Sequence, residues 1–300
     1  MPQPDLSIII VSWNTRALLA DCLASIYSTS GDLNGQVIVV DNASRDDSAA
    51  MVRGKFPRAR LIENRENVGF ARANNQAIEA STGQFVLLLN SDTIVQPHAL
   101  ARLVAFMREH PDAGIVGANV RNRDGSPQRS FGAFPSILSE SIQAWGLDTR
   151  PPFARWFNAA HCAAEYFETG WVLGAALLIR RQAIVQVGLL DENFFMYSEE
   201  VDWCYRVARA GWKNFVLTTA PIIHLGNASA RQMPAQMKAE LFRSKAHYFR
   251  KHYGALTAYC LRAIFSASIL AKRWTYGLVG KKTQSALWAE TWTHFVRATS

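Results

Sequence analysis

The sequence has no CxxC pair. Its 4 cysteines, Cys22, Cys162, Cys204 and Cys260, stand far apart in a chain of 300 residues, and no His-rich segment accompanies them. That excludes the common structural zinc sites and leaves reduced, mostly buried thiols as the expectation. No G-x-G-x-x-G follows the first apolar run and no G-x-x-x-x-G-K-[ST] occurs anywhere, which argues against a dinucleotide-binding fold and against a P-loop. No basic segment precedes the first apolar run: Met1-Pro2-Gln3-Pro4-Asp5 reads as a cytoplasmic start rather than a secretory leader. Long apolar runs are also missing. Ala255–Leu270 stops at sixteen residues and is broken by Arg262, short of the roughly 20 that a spanning helix needs. There is no internal repeat and no low-complexity linker.

What remains is a chain that is 49% hydrophobic and 19% charged, enough to bury a sizeable core. The net charge of +8 is unevenly placed: from Lys238 onward there are 11 Lys and Arg against 2 Asp and Glu, so the preceding residues are almost neutral. A nucleic-acid binder would carry its basic charge on the folded body with a recognisable motif; none is present, and no nucleic-acid partner is expected.

Apolar periodicity orders the chain. Leu6–Ser12, Gln36–Val40, Arg60–Ile62, Gln84–Leu89 and Ile115–Asn119 read as strands; Thr15–Tyr27, Asp46–Phe56, Gly69–Ala80 and Pro97–Glu109 read as helices between them. This alternation predicts right-handed βαβ units and an open, mostly parallel α/β sheet. Further on, Thr169–Arg180 reads as one strand, Gln182–Val187 and Glu199–Ala210 as helices, and Ser136–Ala164 as a loop with short helical pieces. Beyond Ala235 the pattern is helical to the end. The expected division is a domain over 1–237, with halves at 1–120 and 121–237, and a basic helical extension over 238–300.

In an open parallel sheet, ligands bind beyond the carboxyl ends of the strands. Three of the predicted strands end in Ser12-Trp13-Asn14, Asp41-Asn42 and Asn90-Ser91-Asp92. Each carboxylate alone could be a turn residue. Together they form a polar rim suited to donors on a base or ribose and to a hard divalent cation. A second acidic cluster, Glu199-Glu200-Val201-Asp202, opens a predicted helix. The helix dipole favours one carboxylate there but does not explain three. Crowded carboxylates raise one another's pKa, which suits a general base; Asp202 is placed to pair with Arg206 one turn on.

The segments SIIIVSWNTRALLADCLASI, VIVVDNASRDDS, ENVGFARANNQAI, VLLLNSDT, GAALLIRR, FFMYSEEVDWCYR and IIHLGNAS resemble, in this order, the signature blocks of the bacterial family 2 glycosyltransferases, in their rhamnosyltransferase-like form. The resemblance spans about residues 5–250 and implies a GT-A fold and transfer of a sugar from a dTDP-, UDP- or GDP-sugar to a saccharide or lipid-linked acceptor. It implies that Asp41 contacts the base, that Ser12 and Asn14 line the nucleotide site, and that Asn67, Gly69 and Arg72 lie near the ribose and diphosphate. Asn90-Ser91-Asp92 stands at the family's D-x-D, with Asn90 replacing its first acid. Asp92 and His224 are then the implied ligands of Mg²⁺ or Mn²⁺. Glu200 is the implied base, with Glu199 its alternative, and Trp171 and Gly174 would face the acceptor. Core packing for Trp171 and a loop role for His224 are the plain alternatives.

The tail interleaves Lys and Arg with Phe242, Tyr248, Phe249 and Tyr253, then adds the interrupted apolar stretch and Lys272-Arg273-Trp274. This reads as a helix lying on an anionic membrane, which would make the protein peripheral at the inner face of the cell membrane. A packed hairpin and an oligomer interface are the alternatives. For the whole chain, a nucleotide-sugar-forming nucleotidyltransferase and a catalytically silent sugar-binding protein compete with the transferase; the first would normally show a Gly-rich basic loop where this chain has SWNTRALL.

Overall fold

The computed structural model describes residues 4–29, 34–154, 164–226 and 232–297. They fall into two compact units: Met1–Phe134, Ala160–Asn193 and Glu199–Ser229 form the first, and Pro135–Ala159, Phe194–Ser198 and Ala230–Ser300 the second.

The first unit is built on a sheet of 9 strands. Strands β1 (Leu6–Ser12), β2 (Gly35–Asp41), β3 (Arg60–Glu63) and β4 (Phe85–Asn90) pair in parallel in the order β3-β2-β1-β4. Beyond β4 come β10 (Ala176–Arg180), β6 (Ala113–Arg121), β11 (Lys213–His224) and β5 (Thr93–Val95), with β8 (Tyr166–Glu168) also on β11. Strands β7 (Phe131–Gly132) and β9 (Trp171–Val172) form a separate pair.

The central strands are apolar without alternation because both faces are covered. Ile8, Ile10, Leu87 and Leu89 join a core with Leu19, Leu23 and Ile26 of α1 (Arg16–Thr29), Val52 of α2 (Ser48–Lys55) and Leu103 of α4 (Ala99–Glu109). Ile9, Val86 and Leu88 face the other way, onto Ala73 and Ala77 of α3 (Phe70–Glu79), Ile184 of α6 (Arg181–Val187) and Trp203 and Val207 of α7 (Glu199–Arg209).

The sheet is mostly parallel, as the sequence pattern predicts, with antiparallel pairing at β10, β5 and β8. Strand β10 runs antiparallel to both β4 and β6. The reason lies in the segment read as one strand from 169 to 180, which is broken at Leu173-Gly174-Ala175. There the Leu173 amide donates to the Ser130 carbonyl at 2.7 Å and the Ala175 carbonyl accepts from the Asn90 amide at 3.0 Å. The chain thus enters β10 at the carboxyl end of β4 and, with no crossover helix to carry it back, descends antiparallel. Helix α4 also starts later than its proline implies: Pro97 lies outside it and His98, at φ 64°, precedes its first residue.

The second unit holds α5 (Ile137–Ala144), α8 (Pro234–Tyr253), α9 (Ala255–Leu278) and α10 (Lys282–Arg297). Phe242 packs on Phe265 and Phe295, with ring centroids 4.7 and 6.2 Å apart. Glu140 of α5 pairs with Lys245 of α8 at 2.5 Å, both largely buried. Cys22 and Cys204 are buried, and burial pushes both thiols up to about 12. Cys260 is exposed on α9, so the described thiols are mostly but not all buried; Cys162 lies outside the described residues.

Candidate active site

The sheet order places the ends of β2, β1 and β4 side by side, so the three polar strand ends form one rim. Buried hydroxyls tie two of them together: Ser12 Oγ lies 2.9 Å from Thr15 Oγ1, which lies 2.9 Å from Ser91 Oγ. Asn14, at φ 52°, joins the next loop: its amide donates to Ser44 Oγ at 2.9 Å and its Oδ1 accepts from the Arg45 amide at 2.7 Å. Ser12 and Asn14 therefore shape the rim through loop geometry.

Asp41 is 4% exposed at the end of β2. Its Oδ2 accepts from the Ser44 amide at 3.0 Å, while its Oδ1 is buried with no hydrogen-bond partner. A buried acceptor left open costs about 1–3 kcal/mol, more for a charged group, and a ligand N–H would relieve that cost. The neighbouring Asn42, which the sequence puts on the rim with no role of its own, organises the loop beyond it. Its Nδ2 donates to Asn67 Oδ1 at 2.8 Å and to the Gly69 carbonyl at 3.2 Å, and its Oδ1 accepts from the Val68 amide at 3.1 Å. Asn67 Oδ1 also accepts from the Gly69 amide at 3.0 Å. Asn67 is thus a loop brace, and Gly69, at φ 87°, supplies a conformation that only glycine adopts easily. Arg72 is exposed and only 3.8 Å from the Glu192 carboxylate, a weak surface pair.

Strand β5 explains how distant residues meet. Directly after Asn90-Ser91-Asp92 the chain turns into β5, which pairs antiparallel with the end of β11 so that Thr93 faces His224. His224 Nε2 then lies 3.1 Å from Asp92 Oδ1 and 3.3 Å from Asn90 Nδ2. The other ring nitrogen, Nδ1, lies 2.6 Å from Gln128 Oε1, and the Gln128 amide nitrogen donates to Asn122 Oδ1 at 3.0 Å. Gln128 Oε1 can accept from Nδ1–H, which leaves Nε2 facing the Asp92 carboxylate, where it can donate a proton to that carboxylate or share a cation with it. Their spacing is also what two adjacent ligands of one octahedral ion held at about 2.1 Å would have. The donor set fits Mg²⁺ or Mn²⁺ with two protein ligands. Among the described residues, no group of three or more His, Cys, Asp or Glu could hold a metal, so further ligands would come from a bound phosphate or water. The Gln128 brace behind the histidine was invisible in the sequence, where 121–134 reads as a polar loop.

The acidic cluster separates by role. Asp202 is fully buried and pairs with Arg206 Nε at 2.8 Å, as its spacing predicted; Arg206 also donates to the carbonyls of Val187 and Leu189. Asp202 therefore holds the helix to the preceding segment. Glu199 and Glu200 are buried in the first turn of α7. Gly174 lies against Glu200: a Cβ at 174 would sit 3.5 Å from Glu200 Cβ and 3.6 Å from the Phe70 ring. Those are ordinary contacts, so the protein itself imposes no need for glycine there. Gly170 is tighter than Gly174: a Cβ there would meet the Phe134 amide nitrogen at 2.7 Å. Trp171 donates from Nε1 to the Ala133 carbonyl at 2.9 Å and its ring lies over Gly132, which occupies much of the indole in packing. Tyr197 and Ser198, immediately before Glu199, both have positive φ, at 71° and 67°. Non-glycine residues in that region are uncommon and cluster at functional sites.

The family model for "Glycosyl transferase family 2" matches residues 7–166, more than half of the chain. That stretch carries Asp41, Asn67 and Asp92; Glu199, Glu200 and His224 lie after it. The chain is 28% identical over 246 residues to an N-acetylglucosaminyl-diphospho-decaprenol L-rhamnosyltransferase of Mycobacterium tuberculosis, covering 77% of this chain and 79% of that protein. It is 25% identical to a low-salt glycan biosynthesis hexosyltransferase of Haloferax volcanii, over 68% of this chain and 62% of that one. Among solved structures, the mannosyltransferase PcManGT from Pyrobaculum calidifontis, in complex with GDP-Man and Mn²⁺, superposes with a TM-score of 0.59 at 19% identity, covering 99% of this chain and 88% of its own. GalNAc-T7 with UDP, GalNAc and Mn²⁺ gives 0.57 at 15% identity, over 74% and 44%. The chain belongs to glycosyl transferase family 2 and is a glycosyltransferase with a GT-A fold.

Proposed function

We propose that this glycosyltransferase is metal-dependent and inverting, and that it moves rhamnose or a related hexose from a nucleoside-diphosphate sugar to an acceptor hydroxyl. The acceptor would be a saccharide or lipid-linked saccharide in cell-surface polysaccharide or glycolipid assembly. The facing of Asp92 Oδ1 and His224 Nε2 across 3.1 Å at the rim of the sheet carries this reading. A Mg²⁺ or Mn²⁺ held there would offset the negative charge that develops on the departing diphosphate.

The chain's own residues supply the rest. Asp41 Oδ1 accepts a hydrogen bond from the base, since uracil, thymine and guanine each present a ring N–H. Asn42, through Asn67 and Gly69, fixes the loop beside the ribose and diphosphate. Glu200, beside Gly174, takes the proton of the acceptor hydroxyl. The acceptor oxygen forms its bond to the anomeric carbon as the bond to phosphate oxygen breaks, and that electron pair leaves with the diphosphate. One displacement on one face of the sugar inverts the anomeric centre. Support for the sugar and the lipid-linked acceptor comes from the mycobacterial relative, and support for the metal from the Mn²⁺-bound structural neighbours.

The test is release of free nucleoside diphosphate from a set of nucleotide-sugars, with acceptor present, with Mn²⁺ or with EDTA. Release that needs metal and acceptor supports the reading. Turnover undiminished by EDTA would remove the metal from it, and a product that retains the donor's anomeric configuration would remove the single displacement.

A further inference from the structure

The second unit exposes a continuous uncharged stripe along α9. Leu256, Tyr259, Trp274 and Leu278 are 77%, 71%, 73% and 72% exposed. Cys260, Ala263, Ala267 and Leu270 are exposed between them, at the spacing of one helix face. From Leu256 to Leu278 this face runs about 33 Å at 1.5 Å per residue. The opposite face is the packed one, with Leu261, Phe265, Ser268 and Ile269 buried.

Charge frames the stripe. Exposed Arg250 and Lys251 lie at one end, and exposed Arg273, Lys281 and Lys282 at the other. No Asp or Glu occurs between Glu240 and Glu290; Glu240 is buried against Arg243, and Glu290 lies on α10 beside His294. Aromatics mark both ends: Tyr253 and Tyr259 at one, Trp274 at the other. The carbonyl of Ala144 accepts from Ser268 Oγ at 2.5 Å and Lys272 Nζ at 2.6 Å, which brings exposed Trp145 to the same end as Trp274.

We infer that this face of α9 lies on the surface of an anionic lipid bilayer, with Leu256, Tyr259, Leu270, Trp274 and Leu278 entering the headgroup and acyl boundary and the terminal Lys and Arg holding the headgroups. An apolar face with basic flanks and aromatics at both ends is the pattern of a helix in the interfacial plane. A second copy of the chain is the poorer occupant, because its basic flanks would meet basic flanks with no carboxylate on the face to pair them. Helix α9 is long and apolar enough to cross a membrane by length and composition alone. Crossing would, however, strip Phe265 from Phe242 and lift Lys272 from the Trp288 ring, whose centroid is 4.6 Å away. The helix lies on the bilayer with its packed face kept. This inference does not depend on the assignments of base or metal ligands.

Cys260 provides the probe. Burial holds the thiols of Cys22 and Cys204 unreactive, with pKa values pushed up to about 12, so in the full chain carrying Cys162→Ser an environment-sensitive fluorophore attaches at 260. Vesicles containing phosphatidylglycerol should shift its emission to the blue and sediment with the unlabelled protein; pure phosphatidylcholine vesicles should do neither. Salt should weaken the binding without abolishing it, because the flanking charges are screened and the apolar contact is not. The triple variant Leu256→Gln, Tyr259→Gln, Trp274→Gln changes only exposed positions and should keep the thermal midpoint while binding about tenfold or more weakly. Equal binding to both vesicle types, a variant that folds and binds as before, or an emission shift that tracks protein concentration without lipid would each overturn the inference, the last in favour of self-association.

Discussion

His224 Nε2 lies 3.1 Å from Asp92 Oδ1, and the same ring is steadied from behind by Gln128 Oε1, 2.6 Å from Nδ1. A carbonyl on one ring nitrogen fixes which nitrogen is free to bind a metal, and partners of this kind are worth about 10–100-fold in metal affinity or activity. Gln128→Ala should therefore raise the Mn²⁺ concentration needed for half-maximal turnover by about that factor, with excess Mn²⁺ restoring the rate. Asp92→Ala should abolish transfer and lose metal-dependent donor binding, with no rescue. Calorimetric titration of Mn²⁺ in the presence of nucleoside diphosphate reads both. An unchanged Mn²⁺ dependence in Gln128→Ala would mean that the glutamine only packs.

Asp41 makes a sharper case, because its two oxygens have different neighbours. Asp41→Asn preserves the shape, and rotamer choice can keep a carbonyl oxygen on the Ser44 amide. It then presents an NH₂ where Oδ1 stood. A hydrogen bond to a charged group is worth about 1.5–3 kcal/mol, or about 10–100-fold in affinity. Binding of UDP, dTDP and GDP should each weaken by that order. Affinities equal to those of the parent chain would leave Asp41 as a turn residue and no more.

Much of the fold was legible because buried parallel strands write themselves as apolar runs: LSIIIVS and FVLLLN are covered on both faces. The strand ends carrying Asp41 and Asp92 followed from that reading. The short strand β5 and the break in the 169–180 segment did not, because three residues carry no periodicity and because Leu173-Gly174-Ala175 owes its shape to Ser130 and Asn90, remote in sequence. The same holds for Asn42, Asn75 and Gln128. Asn75, for example, exchanges hydrogen bonds with the backbone of Leu190, donating at 2.9 Å and accepting at 3.1 Å. Amide side chains look alike in a sequence whether they brace a loop or face solvent. The C-terminal apolar stretch was read as sixteen residues because Lys272 and Arg273 appear to end it; the helix continues to Leu278, with Lys272 folded over Trp288.

Arg206 and Asp202 form a buried pair whose arginine also serves two carbonyls. Arg206→Met removes the cation and leaves a fully buried carboxylate, so stability should fall by about 3–5 kcal/mol. The double variant Arg206→Met, Asp202→Leu should recover much of the loss. Urea unfolding of the three proteins measures it. A double variant no more stable than the single one would show that the two carbonyls, rather than the ion pair, are what Arg206 is there to hold.

Glu200→Gln should leave donor binding intact and cost about 10²–10⁴-fold in turnover, the range for loss of a general base. Glu199→Gln, in the same turn of α7, is the necessary companion. If that variant shows the collapse and Glu200→Gln does not, the base is Glu199. If neither does, the proton leaves by another route.

The last prediction follows the chain back from these carboxylates. Phe194–Ser198 runs directly into Glu199, and α8 grips it: Ser244 Oγ donates to the Met196 carbonyl at 2.7 Å, and the His247 ring meets buried Phe194 edge-on at 4.6 Å. Tyr197 and Ser198 are held at positive φ, a conformation costing about 1–3 kcal/mol each that persists only where the surroundings enforce it. Ser244 is buried, so Ser244→Ala removes one tether with little change in volume. The substitution also leaves the Met196 carbonyl without that donor. Loss of one such hydrogen bond costs about 0.5–1.5 kcal/mol, and more where a buried partner is left open. Urea unfolding of Ser244→Ala should show a loss of about 1–3 kcal/mol, and Ser244→Thr, which keeps the hydroxyl, should lose less. Equal stability of Ser244→Ala and the parent chain would show that the hydrogen bond to Met196 is not what holds Phe194–Ser198 against α8.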